Sequence, residues 1–164
     1  MDMDLHSLIP LLPELVLLLA ACAILVLDLY LKEDQRDLTY VFSLVALAAA
    51  TGAALGVGGG EREILMAGNY VRDALADARK VAVFVVTAAA FVYSRGYLQA
   101  RKLYRGEYYV LGLFAALGMS VMVSAGSFLT AYLGLELLAL SLYALVAFDR
   151  DSAAGSWAEP AGLR

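Results

Sequence analysis

Charged side chains are scarce in this 164-residue chain. Asp, Glu, Lys and Arg make up 17% of it, whereas an ordinary soluble domain has about 25%. Hydrophobic residues make up 62%, and the mean hydropathy is +0.75. This composition excludes a disordered chain and a polar catalytic domain, and the formal net charge of -4 argues against nucleic-acid binding. We predict an integral membrane protein that has the lipid bilayer, and no nucleic acid, as a partner.

Residues that build metal and nucleotide sites are also few. The single cysteine, Cys22, lies inside an apolar run, which excludes an internal disulfide and a cysteine-based metal site. The glycine-rich stretch 56–60 lacks the Lys-Ser/Thr ending of a phosphate-binding loop. The sequence shows neither a His/Cys/Glu metal cluster nor a nucleophile with a plausible base. We expect this chain to bind no metal or cofactor, so that any enzymatic role belongs to a larger assembly.

Long apolar runs predict the fold, because a helix needs about 20 mostly apolar residues to cross the hydrocarbon core. Five such runs cover residues 13–31, 38–57, 75–95, 108–125 and 128–148. The third is the weakest, since its apolar core over 81–93 is short and three charged residues precede that core. The sequence therefore predicts an all-α membrane domain over 1–152, a bundle of about five transmembrane helices. An irregular tail is expected over 153–164, which contains glycine and proline but no apolar run.

Basic residues in the short loops predict the orientation of this bundle. Eight lysines and arginines fall on one side of the predicted spans and four on the other, and the more basic side of a membrane protein faces the cytoplasm. Seven tyrosines between Tyr30 and Tyr109 lie beside the same loops, as an interfacial aromatic belt would. We therefore expect the N-terminus outside.

One acid, Glu136, lies deep in a predicted span. It is about 12 Å along the helix from Phe128 at a rise of 1.5 Å per residue, close to the bilayer midplane. Burial favours its neutral form and a cationic neighbour its anion, so the residue is a candidate proton relay. Tyr132 and Tyr143 share its narrow helical sector, whereas the opposite side offers small residues for helix packing. The alternative is a structural acid that hydrogen-bonds to a neighbouring helix.

Three further ionisable residues are weaker candidates. Glu14 follows a proline in the first turn of the first span, where an acid complements the helix dipole, so a capping role is favoured. Asp28 precedes Lys32 by four residues, which favours an ion pair at the interface. For Lys80, snorkelling to the outer interface is slightly preferred over the alternative of a buried partner for an acid.

Several segments of the second half of the chain resemble a known family. They read GEYY over 106–109, LFAALGM over 113–119, YLGLELL over 132–138 and SLYAL over 141–145. Together they closely resemble NADH-quinone oxidoreductase subunit N, an antiporter-like membrane subunit of bacterial respiratory complex I. LPE over 12–14, with Asp28, and YVRD over 70–73 are similar to the earlier part of that subunit at lower specificity. The resemblance covers residues 8–152.

The resemblance implies proton translocation coupled to electron transfer from NADH to quinone in the bacterial inner (plasma) membrane. In that family the acid that Glu136 matches belongs to a chain of ionisable residues that carries protons, and it pairs with a lysine on a later helix. The family subunit has no catalytic centre for NADH. NADH and quinone are used by the whole complex, and the partners are the other membrane-arm subunits.

The sequence departs from the family after residue 152, where family members continue with many more spans and this chain stops at Arg164. We therefore hypothesise a truncated or frameshifted subunit N that does not translocate protons alone. Two alternatives stay open. One is a subunit of a related multi-subunit sodium/proton antiporter, and the other is a non-catalytic membrane packing or assembly protein in which Glu136 is structural.

Overall fold

A computed structural model describes residues 9–30, 36–57, 62–100 and 106–157 as a helical bundle. The five α-helices are α1 (Leu12–Tyr30), α2 (Arg36–Val57), α3 (Ala74–Ala100), α4 (Gly106–Val123) and α5 (Phe128–Trp157). Two short strands, β1 (Glu63–Leu65) and β2 (Tyr70–Arg72), lie between α2 and α3. The predicted all-α membrane bundle of five helices is thereby confirmed.

Four helical segments of the described part are long and apolar enough to cross a membrane. They are Ile9–Tyr30, Asp37–Val57, Gly106–Val123 and Phe128–Ala147. The remaining helix, α3, has 27 residues and is therefore about 40 Å long, which suffices for a crossing. Its crossing, like the outside location of the N-terminus, stays a prediction.

The core of the bundle lies between α1, α2, α3 and α4, which pack on one another. Aromatic rings lie together toward the end of the core at which α2 and α4 begin. The ring of Tyr109 on α4 meets Tyr40 of α2 and Phe91 of α3 edge to face, at centroid distances of 5.4 Å and 5.1 Å. Such edge-to-face pairs add to the favourable burial of the rings.

Helix α5 lies at the periphery of the bundle, because it packs chiefly on α4. Only 11% of its membrane-crossing stretch is buried, against 33–50% for the other three crossing stretches. Gly118 of α4 and Gly134 of α5 let the two backbones approach closely, since a Cβ at either glycine would lie within 3 Å of the other helix's backbone. One face of α5 is therefore docked, and the opposite face is open.

A β-hairpin lies between α2 and α3. Strands β1 and β2 are antiparallel, with Ile64 opposite Val71. The turn between α4 and α5 adds to this hairpin, because the Val71 amide donates to the Ser124 carbonyl at 2.9 Å and the Gly126 amide donates to the Asn69 carbonyl at 2.9 Å. The hairpin thus covers the end of the bundle at which α1, α3 and α5 begin, and we call this the hairpin end.

The last helix is longer than expected. α5 continues to Trp157, so the first five residues of the tail that we predicted to be irregular are helical. Alanine and serine between 152 and 156 permit a helix, and one glycine there costs only about 1 kcal/mol relative to alanine. The tail residues from 158 onward lie outside the described residues.

Candidate functional site

Glu136 lies on the open face of α5. It is exposed, and Tyr132 and Tyr143, four residues before it and seven after it, are exposed as well. Within the described part of the chain, the Glu136 carboxylate makes neither a hydrogen bond nor an ion pair. The five helices therefore place the acid and the two predicted tyrosines on one open side without giving the acid a partner.

The opposite side of α5 is the docking surface that its small residues predicted. Gly134 packs against the backbone of Gly118 and Met122. Ser141 is buried, and its hydroxyl donates to the Leu137 carbonyl of its own helix at 2.7 Å. This docking fixes the direction in which Glu136 faces, away from α4.

A buried ion pair, which the sequence did not assign, lies at the hairpin end. Lys80 Nζ of α3 is 2.7 Å from Glu14 Oε1 of α1, and the two side chains are 0% and 8% exposed. The preferred expectation that Lys80 snorkels to the interface is therefore wrong, and its alternative, a buried partner for an acid, is what the structure shows. Glu14 does lie in the first turn of its helix, but its carboxylate is used for pairing with Lys80.

Two hydroxyl groups complete this pair. Lys80 Nζ also donates to the Tyr70 hydroxyl at 2.6 Å, and the Ser120 hydroxyl donates to Glu14 Oε1 at 2.7 Å. The Tyr70 hydroxyl lies 3.3 Å from Glu14 Oε2 and 3.1 Å from the Pro10 carbonyl, and its single proton can serve one of these acceptors at a time. Four elements (α1, β2, α3 and α4) thus converge on one buried ionic site.

The environment of Tyr70 changes its proton affinity. Burial raises the pKa of the phenol above its usual value of 10.0, and the negative charge of Glu14 raises it further, although the bond from Lys80 partly opposes both effects. Ser124 Oγ is close enough to influence this pKa, but it is buried and has no hydrogen bond of good geometry. Tyr70 consequently keeps its proton throughout the physiological pH range.

A second group of charged residues lies between the hairpin and the start of α3. Arg72 of β2 is buried and lies 3.3 Å from Asp77 Oδ2 of α3 and 3.5 Å from Glu63 Oε2 of β1. The Nη2 atom of Arg72 is buried without a hydrogen-bond partner. Asp73 caps α3, because its Oδ1 accepts from the Ala76 amide at 2.6 Å.

Asp28 lies at the other end of the bundle. Its Oδ1 accepts a hydrogen bond from Thr39 of α2 at 2.7 Å. Its carboxylate also lies against Gly106, the first residue of α4, where a Cβ would overlap it. Asp28 therefore joins three helices, whereas the predicted partner Lys32 lies outside the described residues.

The sequence did contain a signal for the Glu14–Lys80 pair. Helices α1 and α3 start at the same end of the bundle, so an acid in the first turn of one and a lysine early in the other lie at similar depth. The involvement of Tyr70 and Ser120 had no comparable signal, because their proximity depends on how the hairpin folds over the bundle.

Comparison with known proteins gives relatives of one kind. No family model matches the chain. It is 50% identical over 156 residues to NADH-quinone oxidoreductase subunit N of Thioalkalivibrio sulfidiphilus (strain HL-EbGR7), which covers 95% of this chain and 32% of the relative. The subunit N of Alkalilimnicola ehrlichii is 47% identical over 86% of this chain and 29% of the relative. The subunit N of Nitrosomonas europaea is 44% identical over 93% of this chain and 32% of the relative.

The chain spans about one third of the length of the curated relatives that it matches. The relatives are bacterial, and the described part of this chain has four helices that are long and apolar enough to cross a lipid bilayer. The resemblance noted in the sequence is confirmed by these comparisons. The chain is a multi-pass protein of the bacterial inner membrane and is homologous, along nearly its whole length, to part of NADH-quinone oxidoreductase subunit N.

Proposed function

We propose that the chain corresponds to the part of a proton-translocating membrane subunit that carries the proton-relay residue Glu136. The subunit would contribute to proton translocation coupled to electron transfer from NADH to quinone, and this chain alone would be inactive. The observation that carries the proposal is the place of Glu136, about 12 Å along α5 and on its open face. The relatives that match the chain bear the subunit N name, which favours this function over a sodium/proton antiporter.

A carboxylate at this depth is unstable against lipid. Placing a charged side chain at the centre of a membrane helix costs about 2.5–3.5 kcal/mol of insertion free energy. Tyr143 and Val146 on the same helix are also more than two-thirds exposed, so the whole face is open in the five-helix bundle. We infer that further protein covers this face in the assembled state and supplies the cationic partner and the water that Glu136 needs.

A relay role follows from such surroundings. An acid between an apolar wall, which favours its neutral form, and a cation, which favours its anion, can take up and release a proton. Tyr132 and Tyr143 flank it on the same side and can extend a hydrogen-bonded path. The proposed partners are the other membrane-arm subunits of complex I, and NADH and quinone would be used by the whole complex.

Proton pumping by a full-length relative tests the relay role. We expect Glu136→Gln, at the matching position, to lower the number of protons moved per NADH oxidised severalfold in proteoliposomes. Glu107→Gln is the matched control, because Glu107 is an exposed acid in the first turn of α4. Unchanged pumping by Glu136→Gln would favour the packing or assembly alternative.

Co-purification tests the proposed partners independently. An affinity-tagged copy of this chain, solubilised from bacterial membranes in mild detergent, is expected to bring down other membrane-arm subunits of complex I. The control is the same chain with Tyr143→Arg, which places a charge on the open face of α5. Equal recovery with both chains would contradict docking through this face.

A further inference from the structure

The ionic site at the hairpin end is separate from the open face of α5. Lys80 is six residues beyond the first residue of α3, which is about 9 Å along the helix. Its amine is fully buried and lies against Glu14, at the start of α1. An ionisable pair within a membrane bundle indicates a proton or ion path more often than a purely structural contact.

Unpaired polar atoms lie around this site. Ser124 Oγ and Arg72 Nη2 are both buried without a hydrogen bond. Leaving such a group unpaired costs about 1–3 kcal/mol, and internal water is the usual way in which proteins avoid that cost. Arg72 belongs to the hairpin and Ser124 to the turn that is hydrogen-bonded to it, so internal water at these atoms would lie at the hairpin end.

Charged side chains also lie at the hairpin end. Asp77 precedes Lys80 by three residues, so the two lie on the same face of α3. Arg72 contacts Asp77 and also Glu63, whose side chain is 47% exposed. Ion pairs therefore link the exposed Glu63 through Arg72 to Asp77, which lies one helical turn before the buried Lys80.

From this geometry we propose that the Glu14–Lys80 pair is a second proton-binding site, which takes up protons from the hairpin side of the membrane and in which Tyr70 passes a proton between the two partners. The proposal rests on the proposed function, because it gives the same subunit a second titratable site apart from Glu136. The groups that face the pair are Tyr70 from β2 and Ser120 from α4. Within the described residues, α2 brings no ionisable side chain to this end.

The Tyr70 hydroxyl can relay a proton between the two partners. It lies 2.6 Å from Lys80 Nζ and 3.3 Å from Glu14 Oε2. When an N–H bond of the Lys80 ammonium breaks, the proton forms a new O–H bond on the phenol oxygen, and the phenol's own proton forms an O–H bond on Glu14. The ionic pair thereby becomes a neutral pair without a change in total charge. A proton from the hairpin side then restores the Lys80 ammonium, so that the site holds one more proton than before.

Infrared difference spectroscopy of the 164-residue chain in phosphatidylcholine liposomes tests this site. As the pH is lowered, all acids of the chain protonate, and we expect an additional protonated-carboxyl band from the buried Glu14 that is present in the wild type and in Glu136→Gln and absent in Glu14→Gln. Persistence of the band in Glu14→Gln overturns the proposal. The proposal is also overturned if the wild type shows no such band at any pH at which the amide bands still indicate intact helices.

A second variant keeps the test decisive if Glu14→Gln does not fold. Tyr70→Phe retains the ring and the Glu14–Lys80 pair, and it removes only the relay hydroxyl. We expect hydrogen–deuterium exchange at the Glu14 carboxyl to slow about a hundredfold, the size of effect that a positioned proton-transfer group contributes. An unchanged rate overturns the proposal. Because the chain is measured without the rest of the complex, the outcome is independent of the pumping test on Glu136.

Discussion

The charged residues inside the bundle show how a membrane protein accommodates charge at the scale of single side chains. Lys80 is the clearest case, because a fully buried amine must be paired with an acid or be neutral. Its ammonium donates to Glu14 and to the Tyr70 hydroxyl, and Glu14 in turn accepts a hydrogen bond from the Ser120 hydroxyl. The sequence singled out both Glu14 and Lys80, but it predicted a local role for each: helix capping for Glu14 and snorkelling for Lys80. Their pairing was not predicted, because the two residues lie far apart in the sequence.

The first prediction concerns the strength of this pair. Lys80→Met leaves the Glu14 carboxylate buried without its counter-ion, and breaking a buried pair in this way costs about 3–5 kcal/mol. The double variant Glu14→Leu/Lys80→Met removes both charges and is expected to lose much less. Unfolding of the chain by denaturant in mixed micelles measures both values. A double variant that is less stable than Lys80→Met would show that the two side chains do not act as a pair.

Tyr70 gives the second prediction, which concerns pH. The pKa of Tyr70 is raised above 10.0 in the folded chain, so folded and unfolded states are both protonated below that pH. Above it the unfolded state loses the proton first, and the stability that Tyr70 contributes falls as the pH rises toward the folded pKa.

We therefore expect the wild type to be more stable than Tyr70→Phe by about 1 kcal/mol near neutral pH, the worth of a typical hydrogen bond. The difference in unfolding free energy between the two proteins is expected to shrink above pH 10.0. The same denaturant experiment at several pH values measures it. A difference that stays constant across this range would refute the assigned environment of Tyr70.

At the scale of elements, the contact of α4 with α5 is set by glycine. Small residues at 134 and 141 predicted a docking face on α5, and the structure confirms it. The hairpin was not predicted, because its strands have only three residues each and part of their hydrogen bonding comes from the turn at 124–126. Pairing at such sequence separation leaves no local pattern, whereas a long apolar run can be recognised by itself.

Glycine substitutions test the element-scale account. Gly118→Ala places a methyl group 2.7 Å from the Gly134 carbonyl oxygen, so α4 and α5 must move apart. We expect a loss of about 1–3 kcal/mol, as for other overpacked interiors. Gly52→Ala is the matched control, because nothing lies within 4 Å of its Cβ position, and alanine there is expected to stabilise α2 by up to about 1 kcal/mol. Equal effects of the two substitutions on unfolding would contradict the close contact.

At the scale of the whole molecule, the chain is a well-packed group of four helices with a fifth helix at its edge. Composition and apolar runs were sufficient to predict the class of protein and five helices. The position of α5 at the edge could not be predicted, because the hydropathy of an apolar run does not show how many neighbouring helices it has. Because α5 lies at the edge of the bundle, Glu136 is exposed and has no partner among the described residues.

The central claim is that protein, not lipid, covers the face of α5 that carries Glu136. A photo-crosslinking amino acid at position 143, which is 71% exposed in this chain, tests it most directly. In this chain alone, reconstituted in liposomes, we expect adducts with lipid only. At the matching position of a full-length relative assembled in complex I, we expect adducts with protein. Lipid adducts alone in the assembled complex would contradict the account.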